Sequence, residues 1–132
     1  MATRYPTTTK KVYNHDDGAR LARYRDEFEH ASVFGLWKNC WQDRNVPHEN
    51  ETPRVYAIYS YGYHFPMYVY DEVSGQWLGN SSKYSRTTTS HQSKYRPPEV
   101  AKWFDTGELK AIVDFGLIGY ITKRMEQGLP VS

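Results

Sequence analysis

The chain has 132 residues, with 17 Lys and Arg against 15 Asp and Glu for a formal charge of +2, and 12 Tyr and 4 Trp raise its aromatic content to 16%. That length excludes two independent cores of ordinary size, the aromatic content excludes a solvated disordered chain, and the charge excludes a uniformly basic polyanion binder. The lone cysteine, Cys40, excludes an intrachain disulfide, and between Trp37 and Trp41 it reads as a small buried hydrophobe.

Residues 1–13 have no clean period and carry Pro6 within a run of threonines, which predicts an extended arm able to pair with a sheet edge. No apolar leader-like stretch follows Met1 and no later run reaches the length of a membrane span, so a soluble cytoplasmic protein without a membrane partner is expected. Leu21, Tyr24, Phe28 and Ala31 then recur at helical steps, predicting a helix over 16–32. Its opposite face pairs Arg23 with Glu27 and Arg25 with Glu29 at i,i+4, each worth about 0.2–0.5 kcal/mol. Asn14, Asp16 and Asp17 suit an N-cap and the positive dipole end, so His15-Asp16-Asp17 reads as a helix start rather than a metal-binding pair.

Val33 to Trp41 is apolar around Gly35 and fits neither helix nor strand by period, while residues 42–53 are polar with Pro47 and Pro53 and read as a surface connection. Arg54 to Ser60 alternates as a strand, a turn follows at Tyr61-Gly62, Met67 to Asp71 forms a second strand, Val73-Ser74-Gly75 turns, and Gln76 to Gly79 forms a third. Pro97-Pro98-Glu99 predicts a helix start with Val100, Trp103 and Phe104 on its apolar face. A last helix is expected from about Thr106 to Gln127, ended by Gly128-Leu129-Pro130. The expected fold is therefore a single α+β domain over 1–132: a three-stranded antiparallel meander at 54–79, with an N-terminal helix and C-terminal helices over 98–127 packed on it.

Between the meander and those last helices, residues 80–96 replace the apolar pattern with hydroxyls, an imidazole and cations. Lys83, Arg86, Lys94, Arg96 and Lys102 against Glu99 leave a local formal charge of about +4. Thr89 with Gln92 matches the S/T-x-x-E/Q capping box, in which Thr89 bonds the amide at the third helical position. The same geometry suits an anion, because a helix N-terminus presents free amides and a positive dipole end. Lys83, Tyr84, Ser85, Arg86, Thr87, Thr88, His91, Gln92, Lys94 and Arg96 are the candidate binding residues.

An enzymatic reading pairs His91 with His64, which follows the first turn, for acid–base chemistry near neutral pH, with Lys83 or Arg86 stabilising charge on a phosphorane. The five histidines and the lone cysteine have no metal-site spacing, and the chain lacks a Gly-rich phosphate loop and a nucleophile elbow, so neither a metal nor a cofactor is expected. Tyr and Trp of the meander beside basic residues suit stacking of single-stranded bases, although alternating Tyr in a small sheet ordinarily fills the core.

Tyr59-Ser60-Tyr61-Gly62 with His64 and Pro66, followed by Lys83-Tyr84-Ser85-Arg86-Thr87-Thr88 and His91-Gln92, resembles an uncharacterised tailed-bacteriophage protein family with the pattern S-Y-G…K-Y-S-x-T-T-x-x-H-Q. The resemblance covers Val55 to Arg96 and brings no assigned activity. It implies a small accessory protein in the cytoplasm of an infected bacterial host. The first expectation is binding of nucleic acid or another anionic partner through 83–96. The alternatives are an inhibitor that binds a host or bacterial defence protein directly, and a small phosphodiester or nucleotide-modifying enzyme using His91 and His64. No sequence feature sets an oligomeric state.

Overall fold

The computed structural model describes residues 9–40, 54–83, 85–126 and 128. In chain order these form β1 (Lys10–Lys11), α1 (His15–Arg23), β2 (Phe28–Glu29), β3 (Val33–Asn39), β4 (Arg54–Ser60), β5 (Pro66–Asp71), β6 (Gln76–Asn80), α2 (Arg86–Tyr95), β7 (Lys102–Phe104) and α3 (Thr106–Glu126). All seven strands join one sheet in sequence order. The β1–β2 and β6–β7 pairs are parallel, and every pair between them is antiparallel. Of the arm expected over 1–13, residues 1–8 lie outside the described residues, as does the surface connection over 42–53, and Lys10–Lys11 pairs with the sheet edge at β2.

The fold is α+β, but the expected three-stranded meander is overturned by this seven-stranded mixed sheet. The strands at 54–80 are only its centre. Val33–Asn39, which has no usable period because both of its faces meet packed residues, pairs with β4 from Val33↔Ser60 to Asn39↔Arg54. Gly35 is required there, since a Cβ would run into the rings of Tyr56 and Phe28. Pro97 to Phe104 does not start a helix; Lys102–Phe104 instead runs parallel to β6, with Leu78 opposite Lys102.

The helix expected over 16–32 ends at Arg23. Asn14 caps its start by accepting the Asp17 N–H at 2.8 Å. At its other end Arg25 N–H donates to the Ala22 carbonyl and Asp26 N–H to the Leu21 carbonyl, both at 2.9 Å, the bonding of a Schellman stop. The residue in the left-handed position of that stop, normally glycine, is Arg25 at φ 58. Holding a residue with a Cβ there costs about 1–2 kcal/mol. The conformation is held by its surroundings: the Trp37 indole N–H donates to the Arg25 carbonyl at 2.8 Å and the Tyr56 hydroxyl to the next carbonyl, Asp26, at 2.6 Å. Because the helix ends here, the proposed Arg23–Glu27 and Arg25–Glu29 surface pairs do not form, and Glu27 instead accepts the Trp37 amide at 3.0 Å.

Helices cover both faces of the sheet. β4 is buried at every position, sending Val55, Ala57 and Tyr59 toward α3 and Tyr56 and Ile58 toward α1 and α2. On the first face Leu109, Ile112, Val113 and Leu117 of α3 pack on Val69, Leu78 and Phe104. On the second, Ala22 of α1 and Tyr95 of α2 pack on Phe28, Val33, Met67 and Tyr68. Each large apolar side chain so buried contributes about 1.5–3 kcal/mol. α3 is broken at Gly116, where φ 80 and ψ 165 leave the helix, and the buried Asp71 carboxylate accepts the Leu117 N–H at 3.1 Å. Asp71 thus caps the second half of α3 from the sheet, as an N-cap carboxylate would.

Candidate anion-binding surface on helix α2

Ser85 starts α2. Its extended backbone leaves the side chain free to accept the Thr88 N–H at 3.1 Å, while Thr89 is already helical and its hydroxyl donates to the Ser85 carbonyl at 2.9 Å. The Thr89–Gln92 capping box is therefore corrected: the cap lies one turn earlier. Gln92 turns inward instead, its Nε2 donating to the Asn80 carbonyl at 2.9 Å, and its own carbonyl accepts the Tyr68 hydroxyl at 2.7 Å. Thr88, His91, Gln92 and Tyr95 form the buried stripe, following helical spacing although three of the four are polar. The polar stretch at 80–96 is thus a helix fastened to the sheet by hydrogen bonds.

The other side of α2 faces outward. Arg86, Thr87, Thr89, Ser90, Ser93 and Lys94 are exposed, and Lys83 and Arg96 are exposed just beyond the two ends. α2 contains no acidic residue, and among the described residues none of Lys83, Arg86, Lys94 and Arg96 belongs to an ion pair. The Arg96 guanidinium lies 5.2 Å from the ring centroid of Trp103, an indole still 43% exposed. Of the candidate binding residues, then, Lys83, Ser85, Arg86, Thr87, Lys94 and Arg96 share an accessible surface, and Thr88, His91 and Gln92 hold the helix in place. Tyr84 lies outside the described residues.

The groups packed against His91 are Ser60, His15 and Tyr61 rather than His64. His64 is exposed in the turn between β4 and β5, whereas His91 is 4% exposed. The rings against His91 are those of His15, at 5.1 Å between centroids, and Tyr61, at 5.4 Å. His30 packs on the far side of His15 at 4.3 Å, so three imidazoles from α1, the β2–β3 turn and α2 form a row. Each is held through Nδ1: His91 with the Ser60 hydroxyl at 2.8 Å, His15 with the Tyr95 hydroxyl at 2.9 Å, and His30 accepting the Ser32 N–H at 3.4 Å.

Burial holds the His91 pKa below its ordinary value, and the neighbouring His15, His30 and Lys94 push the same way. His15 is likewise lowered, first by burial, then by His30 and Lys94, with Asp16 opposing. Both rings are thus predominantly uncharged at neutral pH, which suits packing and the support of α2. His15 and His30 carried no signal in the sequence, because a helix start fully accounts for His15 and nothing in chain spacing relates it to His91. Among the described residues no group of three His, Cys, Asp or Glu is arranged to hold a metal ion.

Cys40 is buried, and loss of hydration pushes its thiol up to about 12, so it is an inert thiol rather than a nucleophile. No helix of the described residues is long and apolar enough to cross a membrane. Comparison with protein-family models, with curated proteins and with solved structures finds no significant match for the chain.

Proposed function

We propose that the protein is a phage accessory protein that binds nucleic acid, or a partner with similarly spaced phosphates, through the outer face of α2. The observation that carries this reading is the division of α2 into a hydrogen-bonded inner face and an outer face whose cations are unopposed by any carboxylate of that helix. Cations held on a fixed scaffold gain affinity for a polyanion by releasing its condensed counterions. Arg96 over the half-exposed Trp103 adds a surface on which a base can stack. The phage setting is supported by the motif running from Tyr59 to Gln92, and cytoplasmic action in the infected host goes with that setting.

On this assignment His91 supports α2 rather than acting in catalysis, since its Nδ1 is engaged by Ser60 and its ring by His15 and Tyr61. The test is binding of labelled single-stranded and duplex DNA over a range of salt. Affinity that falls steeply with salt and weakens in Arg86→Ala and Lys94→Ala supports the proposal. Salt-insensitive binding, or none to either form, overturns it; recovery of one stoichiometric host protein in that case directs attention to direct inhibition of that protein.

A further inference from the structure

On the same side of the sheet as α2, the end of α1 and the β6–β7 edge enclose an open cleft of about 530 Å³. Its walls include Arg23, Arg25, Gln76, Trp77, Glu99 and Val100. The volume lies within the range that takes a small organic ligand. Trp77 lines the cleft, and its indole packs on the rings of Tyr70, at 5.3 Å between centroids, and Tyr56, at 6.2 Å. Two guanidinium groups share the cleft with it, and among the described residues neither Arg23 nor Arg25 is in an ion pair. Glu99 is the one carboxylate among the lining residues, and it is exposed.

Arg25 gives this cleft a directed character. Its backbone sits where the α1 stop asks for glycine, at φ 58, and strain retained in a folded chain is commonly kept for a side chain that has a use. That side chain lies 4.4 Å over the Tyr70 ring, with Nη1 donating to the Arg23 carbonyl at 3.3 Å, so the guanidinium is held in place while its remaining donors are uncommitted among the described residues. Fixed, unneutralised guanidinium donors beside an aromatic face match a ligand that is planar at one end and anionic at the other. A separate, smaller recess nearer the end of α2 is lined by Arg23 and Trp77 as well, together with Lys94 and Arg96.

We propose that this cleft takes one nucleotide unit, its base against Trp77 and its phosphate between Arg23 and Arg25. In choosing a nucleotide over other aromatic anions the proposal rests on the reading of α2; the cleft itself uses different residues. A free nucleotide and the exposed base of a single strand share this chemistry. A duplex does not, because its bases are stacked and paired.

The experiment titrates adenosine monophosphate, a single-stranded oligonucleotide and a duplex of equal length, following tryptophan fluorescence. Wild type, Arg25→Gly, Arg23→Ala and the α2 double variant Arg86→Ala/Lys94→Ala are compared. Arg25→Gly should retain or raise Tm, because glycine accepts the left-handed backbone, and should weaken the nucleotide and the single strand at least about tenfold while leaving the duplex unchanged. Arg23→Ala should act in the same direction. A single strand bound more tightly than the free nucleotide identifies the strand as the natural source, and the reverse identifies the nucleotide. Failure of both to bind, or binding unaffected in Arg25→Gly, overturns the cleft proposal. Duplex binding still lost in the α2 variant would then leave the α2 reading standing. Nucleotide binding sensitive to Arg25→Gly, with neither polymer bound, would uphold the cleft and refute α2.

Discussion

Replacing Arg86 and Lys94 together by alanine removes two of the four cations displayed by α2 and its flanks without touching its buried face. Both side chains are exposed, so the helix should keep its content by circular dichroism. If Lys83, Arg86, Lys94 and Arg96 each neutralise one phosphate of a single strand, their share of the slope of log affinity against log salt is about −2.8, at roughly −0.7 per contact. Raising salt from about 50 to about 200 mM would then weaken wild type about fifty-fold through these contacts. The double variant keeps two of them, a share of about −1.4 and a loss of only about sevenfold over the same range. Fluorescence anisotropy with a labelled single strand of about 20 nucleotides at several salt concentrations separates the two slopes. Equal slopes in the two proteins would refute the assignment of these cations to phosphates, even if both proteins bind.

Three further outcomes bear on the architecture. The folded-state pKa values of His15 and His91 are depressed below 6.5, so the unfolded chain binds more protons in the window beneath that value. Their contribution is therefore present above about 6.5 and lost as pH falls, and His91→Gln should flatten the acid side of a Tm-against-pH curve. Gly35→Ala should destabilise by about 1–3 kcal/mol in urea melts, because the added Cβ meets the rings of Tyr56 and Phe28 in a packed layer. Asp71→Ala should cost about 1–3 kcal/mol, since it strips the acceptor from the buried Leu117 N–H at the break in α3; a loss well below that would mean the break is satisfied otherwise.

The centre of the sheet was legible because β4 to β6 alternate and are joined by turns at Tyr61-Gly62 and Val73-Ser74-Gly75. Its margins were not. Phe28 and Ala31 continue the helical spacing of Leu21 and Tyr24 by coincidence, and the one residue that ends the helix, Arg25, is not a type that ordinarily does so. Gly35, whose role is to admit two rings, interrupts β3 just where alternation would have revealed it. At the candidate surface the cations were readable as local charge. The cap was misplaced because Ser85 finds its partners in Thr88, not in the Glu or Gln of the usual box, while Thr89 and Gln92 imitate that box one turn on. The row of imidazoles was invisible because it is assembled by tertiary packing of three separate elements.

A sheet whose strands lie in the order of the chain also has an order of assembly. β3 to β6 pair only with sequence neighbours, so these strands can zip together through short closures before any distant contact forms. β7 reaches its parallel place only after the intervening segment containing α2 has crossed over one face. The basic helix is thus carried on the last and longest of these closures, held by Tyr95 and a few polar tethers to strands that do not need it for their own pairing. Amide exchange should find α2 and β7 opening together, below the free energy of the four central strands. A partner that grips α2 would therefore slow exchange there most, by binding the closed form and drawing down its open population.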